Sequence, residues 1–341
     1  MTKSHRACLL AVMTALTTPA SLFAAESLAP PPAAIVAGKP VPVTSHADQQ
    51  VLLQSSKATL AANKQLVHEY WRTVVLGGQA ARAAEYLAPT FVEHDPLLPS
   101  GVAALQRYIA QQVKAGSVPA AIPGLVTLIA EADSVVLVQV AQYPEPDNAA
   151  AFYTSARFDM FRIDDGRIAE HWDSSLFRAG QTVPDYGADS AQPVNGTEGL
   201  AQHALLTNDD PQLFANKRLA FDLWRQIPEG GREELAALYV DELYIQHNPN
   251  AATGRDGFIE YMARRPESPI ESWLETPLVA MIAEGDLVVQ VLQTTRVQNG
   301  VTYQVPWFDM FRIDKHRVIE HWDTAAKGEL PAATPGGPLG L

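Results

Sequence analysis

The feature that most constrains this chain is an internal duplication. Asn63-Lys64, Trp71-Arg72, Gly77-Gly78, Tyr86, His94 and Pro96 recur 153 residues later as Asn216-Lys217, Trp224-Arg225, Gly230-Gly231, Tyr239, His247 and Pro249. Gly101, Tyr108, Glu131 and Asp133 recur at the same spacing as Gly254, Tyr261, Glu284 and Asp286. A three-residue deletion then shortens the spacing to 150: the seven residues Phe158 to Asp164 return unchanged as Phe308 to Asp314, and Glu170-His171-Trp172-Asp173 returns as Glu320-His321-Trp322-Asp323. Twelve of the sixteen positions from Phe158 to Asp173 are identical in the second copy, which two unrelated segments do not reach. Similarity at a fixed spacing identifies the structural unit before any secondary structure is assigned. The chain must fold as two copies of one small unit, and its 341 residues suit two ordinary domains.

The copies are expected to occupy residues 57–177 and 210–326, joined by a linker over 178–209 that carries Pro184, Gly187, Pro193, Gly196 and Gly199. Residues 26–56, with Pro30, Pro31, Pro32, Pro40 and Pro42, read as a Pro-rich tail, and 327–341 as a Pro/Gly-rich one. Residues 1–25 read as a secretory signal: Lys3 and Arg6, an apolar run from Ala7 to Leu16, then small residues at Ala24 and Ala25. That run is too short to cross a hydrocarbon core of about 30 Å. A periplasmic or secreted protein is expected, with no membrane association after cleavage. Cys8, the one cysteine, would leave with the signal, so the mature chain has no disulfide and no cysteine metal ligand. A formal charge of −13 without any basic cluster argues against nucleic acid and leaves a small molecule as the expected partner.

Each copy places helices first and strands last. Leu60, Val67, Tyr70, Trp71 and Val74 recur at helical spacing, as do Leu219, Leu223, Trp224 and Ile227. Shorter helices are expected over 79–87 and 233–240, each feeding a brief strand, and a third helix starts near Gly101 and Gly254. The remainder alternates as strands, with Asp165-Gly166 as a tight turn and Lys315-His316 as weaker turn chemistry in the second copy. The class is therefore α+β, with helices packed on a curved antiparallel sheet.

In a strand, alternate residues share a face. His171 and Asp173 lie together with Trp172 opposite, and His321 and Asp323 repeat this. Asp159 and Asp309 sit among apolar residues on the preceding strand, while His94 and His247 end the short early strands just before a proline. If these faces converge, each copy holds a pocket of histidines, carboxylates and an aromatic wall to which Trp71 and Trp224 are candidates. A carboxylate in apolar surroundings has a raised pKa and a neighbouring histidine can share its proton, which is the makeup of a general acid/base site. A competing reading is purely structural: the histidines and acids satisfy one another, the acids pair with an arginine such as Arg157, and the tryptophans belong to the core. His-x-Asp with a distant histidine is also a two-histidine, one-carboxylate metal set, but nothing fixes the third ligand, so a metal is not expected. No Gly-x-Ser-x-Gly elbow or phosphate-binding loop is present.

With this element order and the closing Phe-Asp-Met-Phe-Arg-Ile-Asp and Glu-His-Trp-Asp strands, each copy resembles a SnoaL-like domain of the cone-shaped group named after nuclear transport factor 2. The second copy matches the family's wording better, in Tyr244 to Pro249, Gly254, Trp307 to Arg312 and Val318 to Asp323. The resemblance implies two cone-shaped domains, and a cofactor-free site in which polyketide cyclases close a ring by aldol condensation using an aspartate. By position that aspartate is Asp323, and Asp173 in the first copy, with His321, His247, His171 and His94 as partners. It further implies pairing of the two copies through their sheets as an intramolecular pseudo-dimer. The expected function is cofactor-free acid/base chemistry of cyclase, isomerase or dehydratase type on a small carbonyl compound; the alternative is a non-catalytic periplasmic binding protein.

Overall fold

The computed structural model describes residues 27–36, 38–174, 181–263 and 265–328, so the expected signal segment and nearly all of the C-terminal tail lie outside the described residues. The first copy runs α1 (Gln49–Leu52), α2 (Ala58–Tyr70), a π-helical turn (Trp71–Leu76), α3 (Ala83–Tyr86), β1 (Leu87–Glu93), α4 (Val102–Gln112), β2 (Leu125–Glu131), β3 (Ser134–Glu145), β4 (Asn148–Asp164) and β5 (Arg167–Asp173). The second runs α5 (Pro211–Gln226), α6 (Ala236–Tyr239), β6 (Val240–Gln246), α7 (Arg255–Met262), β7 (Leu278–Glu284), β8 (Leu287–Gln298), β9 (Val301–Asp314) and β10 (Arg317–Asp323). Helix α5 starts where its sequence says it should: the Asp210 carboxylate accepts the Gln212 and Leu213 N–H groups, with Pro211 in the first turn. The repeated Gly-Gly pair ends the first helix of each copy. Gly231 has φ +65°, and a Cβ there would lie 2.3 Å from the Pro266 carbonyl oxygen, so no other residue fits.

Each copy forms one five-stranded sheet, ordered β1-β5-β4-β3-β2 and β6-β10-β9-β8-β7. Neighbouring strands are antiparallel except β1–β5 and β6–β10, which are parallel. That parallel register sets Glu93 beside His171 and Gln246 beside His321. The β4–β5 turn holds Asp165 and Gly166 at φ +46° and +70°, whereas the β9–β10 turn forces Lys315 and His316 to +47° and +60° without a glycine.

Both faces of each sheet are covered. One face packs on the copy's own helices, through Leu137, Phe161 and Ile163 in the first copy and Val288, Leu292 and Phe311 in the second. The opposite faces share a single cluster that includes Val136, Phe158, Met160 and Trp172 from one sheet and Val289, Phe308, Met310 and Trp322 from the other. Phe158 stacks on its own repeat-mate Phe308, with ring centroids 5.3 Å apart and planes 8° from parallel. Around this contact the polar pairs are reciprocal: Lys64 meets Glu284 at 2.6 Å and Lys217 meets Glu131 at 2.7 Å. The same two carboxylates accept the backbone N–H of Ala130 and of Ala283, each across to the other copy.

The described parts of the segments expected as N-terminal tail and linker are docked, extended apart from α1 and the 3-10 helices Gly187–Asp189 and Gly199–Leu206, and they exchange partners. Val41 N–H donates to Gln246 O and His46 N–H to Leu125 O, so the arm before the first copy begins on the second copy and ends on its own. Gln192 N–H donates to Glu93 O and Thr197 N–H to Leu278 O, the mirror arrangement for the arm before the second copy. Pro42 and Pro193 suit the arms because each sits between residues whose N–H groups donate, Val41 and Val43 in one arm and Gln192 and Val194 in the other.

Lys217 is 2% exposed, and Glu131 supplies its carboxylate partner. Glu131→Gln strands that ammonium group, and urea unfolding is expected to show a loss of about 3 kcal/mol. Glu284→Gln should match it, since Lys64 is equally buried; a loss under about 0.5 kcal/mol would mark these as solvent-screened surface pairs.

Candidate active site

Strands β4, β5 and β1 meet over the helices of the first copy, and β9, β10 and β6 do the same in the second. Cross-strand register pairs Asp159 with Asp173 and Phe161 with His171, then Asp309 with Asp323 and Phe311 with His321. The expected His-and-Asp face therefore exists in both copies, and all six of these polar side chains are buried. The copies fill it with different chemistry.

In the first copy the His171 ring stacks on Phe161 and hydrogen-bonds Glu93 through Nδ1 at 2.9 Å and Asp159 through Nε2 at 3.3 Å. Two carboxylates on two ring nitrogens call for two N–H donors, hence an imidazolium. Burial is the largest single influence and opposes the charge, but Glu93 and Asp159 together outweigh it and hold the ring well above the usual histidine range. Arg157 then bridges Asp159 and Asp173, at 3.1 Å each, with its guanidinium over the Trp71 ring. The result is a closed ionic chain, Glu93–His171–Asp159–Arg157–Asp173.

In the second copy two of those positions are exchanged, Glu93 for Gln246 and Arg157 for Trp307, and Asp95 two residues past Glu93 becomes Asn248. The Gln246 Oε1 accepts the Asn248 N–H at 2.9 Å, which fixes the amide, and the same oxygen faces His321 Nδ1 at 2.9 Å. Nδ1 must then carry a hydrogen. The Gln246 Nε2 donates to the Tyr244 hydroxyl at 2.9 Å. His321 Nε2 lies 3.0 Å from Asp309 Oδ1, so a neutral ring can only accept there, from a protonated Asp309. The electrostatics agree. Burial pushes Asp309 well above the carboxylate range, outweighing Trp307 and Arg265, and burial pulls His321 down to about 4 despite Asp323. Asp323 is pushed up to about 6 by burial, although His321 lies beside it, Ala325 N–H donates to Oδ1 and Asn248 Nδ2 donates to Oδ2 at 2.6 Å. This is a neutral acid–histidine pair next to a carboxylate that titrates near neutrality.

Asp309, His321 and Asp323 each place one ligating atom within 4.8 Å of the other two, so this trio is also where a metal ion could be held. In the first copy the corresponding pair of aspartates already has a cation, Arg157.

His94 and His247 do not join these groups. They lie one residue past Glu93 and Gln246, so their rings fall on the other side of the sheet, stacked on Trp172 at 4.5 Å and Trp322 at 4.8 Å. Each is pinned by a carbonyl from an exchanged arm, Gln192 O or Val41 O, and by a carboxylate, Glu170 or Glu320. Trp71 packs in the first copy's core as well as under Arg157, and Trp224 packs against the second core. The residues that take the places assigned to the histidines are Glu93 and Gln246. Counting back by two from Asp95 and Asn248 would have found them.

The stability consequence has a definite sign. Asp323, raised from 3.8 to about 6, contributes fully below pH 4, and this is lost as pH rises through 6. His321, lowered from 6.5 to about 4, contributes fully above pH 6.5, and this is lost as pH falls toward 4. The two oppose each other between pH 4 and 6. Asp323→Asn removes the first alone, so it should be more stable than the parent by about 2 kcal/mol at pH 8 and equal to it at pH 4, read by thermal unfolding at both values. Equal stability at pH 8 would show that Asp323 is an ordinary ionised carboxylate.

No curated protein matches the chain. Among solved structures, TsrD from Streptomyces laurentii is 21% identical with a TM-score of 0.25, the match covering 33% of this chain and 87% of that one. A candidate polyketide cyclase from Acidithiobacillus ferrooxidans is 17% identical with a TM-score of 0.25, covering 35% and 89%. An NTF2-like protein of unknown function from Burkholderia pseudomallei is 14% identical with a TM-score of 0.23, covering 33% and 88%. The family model described as SnoaL-like domain matches residues 220–321, the stretch that holds Gln246, Asp309 and His321. Those residues form a SnoaL-like domain.

Proposed function

We propose that the second copy is a cofactor-free acid/base centre acting on a small carbonyl compound, with Asp323 as the base that removes a proton beside the carbonyl. The observation that carries this reading is Asp323 itself: buried, held by Asn248 and Ala325, pushed up to about 6, and next to a histidine whose ring is neutral. A base of that pKa is ionised at neutral pH yet close enough to it to return the proton, and such positioning commonly contributes about 10² to 10⁴ in rate. Asp309 and His321 form the partner that can hold or deliver a second proton. Ring closure by aldol condensation, isomerisation and dehydration all use this pair of transfers.

The closed ionic chain of the first copy favours the non-catalytic alternative for that pocket, because every acid there is already matched by a cation. The reciprocal contacts support a pseudo-dimer within one chain, and the N-terminal residues support export to the periplasm or beyond.

The test is proton exchange in D₂O on any ligand found to bind, together with native mass spectrometry of the mature protein. Asp323→Asn is expected to keep binding and to lose at least about 100-fold in exchange, while Asp173→Asn leaves exchange unchanged. A bound ligand whose protons exchange no faster than in buffer would make the chain a binding protein. A stoichiometric metal ion held by Asp309, His321 and Asp323 would overturn the cofactor-free reading.

A further inference from the structure

One buried polar side chain in the second copy takes no part in the network above. Gln290 lies on β8, directly across from Asp309, which lies directly across from Asp323. The three form a row across β8, β9 and β10, about 4.8 Å from strand to strand. Alternation settles which way Gln290 faces. Val288 and Leu292, two residues to either side, belong to the helix-packed core, while Val289 and Val291 belong to the cluster between the sheets. Gln290 therefore enters the same interior as Asp309, and it is 0% exposed.

Neither its Oε1 nor its Nε2 has a hydrogen-bond partner among the described residues; Asp309 Oδ2 beside it has none either, as in the first copy's Asp159, so the amide is what sets the second copy apart. Unpaired buried donors and acceptors are costly, and here both ends of one amide lack a partner. The repeat supplies the control. At the matching position in the first copy stands Leu137, also 0% exposed and packed in the apolar core, so the backbone has no need of an amide there. The amide appears only in the copy whose charges have been removed.

We infer that Gln290 and Asp309 form a binding subsite for an uncharged oxygen function of the ligand: the Gln290 Nε2–H donates to a carbonyl oxygen, and Asp309 Oδ2, an acceptor because the acid's proton lies toward His321, takes the O–H of the corresponding enol. The groups offered are a neutral amide with one donor and one acceptor side, and an acid whose other oxygen is tied to His321. A carboxylate ligand would meet no cation in this row and would be repelled by Asp323, ionised at neutral pH, whereas an ammonium ligand would be drawn to Asp323 and away from Gln290. The geometry suits the acid/base reading, because the row ends at Asp323, two strands from Gln290. A carbonyl oxygen anchored at Gln290 leaves the adjacent carbon lying toward Asp323. Gln290 is in this sense a positioning residue. It rests on the acid/base reading only for that consequence, and the test measures binding rather than turnover.

Gln290→Leu restores the first copy's residue at a site where the repeat shows that leucine packs. In the ligand-free mature chain its Tm is expected to rise by about 2 °C or more, because the unpaired amide is gone. A fall in Tm would mean that the amide is satisfied in the resting protein, by a buried water or otherwise, and would overturn the proposal. Titration of the ¹⁵N-labelled chain with cyclohexanone at millimolar concentration should move the Gln290 side-chain amide resonance, which is identified by its loss in the variant. Gln290→Leu should weaken cyclohexanone at least tenfold, and cyclohexanecarboxylate should bind the parent at least tenfold more weakly than the ketone. A ketone that leaves the amide resonance unmoved, equal ketone affinity in the variant, or a preference for the carboxylate each defeats it. Asp323→Asn should leave ketone binding intact, so loss of turnover and loss of binding are read separately.

Discussion

Each sheet is buried on both faces, and most of the structure follows from that. A strand with two dry faces has no solvent side, so the last three residues of each copy's final strand, His171 to Asp173 and His321 to Asp323, all lie in one interior or the other. In β10, His321 and Asp323 go to the helix side and Trp322 to the contact between sheets. Magnitudes decide what holds the sheets together. Each apolar side chain removed from water contributes about 1.5 to 3 kcal/mol, and the shared cluster contains many, with Phe158 stacked on Phe308 at its centre. The reciprocal lysine–glutamate pairs gain little net energy, because desolvation of the charges offsets most of their attraction. They fix which way the sheets meet, since a buried ammonium without its carboxylate is strongly unfavourable.

The same backbone carries two opposite electrostatic solutions. With Glu93 and Arg157 present, every charge in the first pocket has a partner and the imidazolium of His171 is locked. With Gln246 and Trp307 in their places, two carboxylates and one guanidinium are gone once Asn248 is included, and burial is left without compensation. Desolvation then dominates: it protonates Asp309, neutralises His321 and lifts Asp323 toward neutrality. The second pocket is the less comfortable of the two. Sites that violate polar satisfaction in an otherwise well-matched fold are where function is usually found.

The sequence alone makes the duplication, the α+β order and the shared face of His171 with Asp173 legible, because each depends on spacing within one segment. What it hides depends on partners far along the chain. Strand β1 pairs in parallel with β5, some eighty residues later, and only that register reveals that Glu93 rather than His94 meets His171. His94 looks like a site residue by type, and one residue of parity sends it to the other face. The proline-rich arms look like loose connections, since nothing local indicates that Val41 docks on Gln246 or Gln192 on Glu93. Gln290 is invisible for a different reason: a glutamine among valines reads as an outward-facing position until both faces are known to be dry.

Covalent duplication explains how so uneven a pair could arise. In a symmetric assembly of identical chains every substitution appears in both sites at once, so a change that unsettles one pocket unsettles the other. Joining the copies in one chain removes that constraint while keeping the same sheet-to-sheet contact. The first copy can then keep its ionic chain and contribute stability, and the second can carry a raised aspartate, a neutral histidine and an unpaired glutamine. The exchanged arms strengthen this coupling, because each copy's edge strand is bound by the segment that leads into the other. The site with the unfavourable electrostatics is thus held in shape largely by contacts outside it, the arm reaching it at the Gln246 backbone carbonyl.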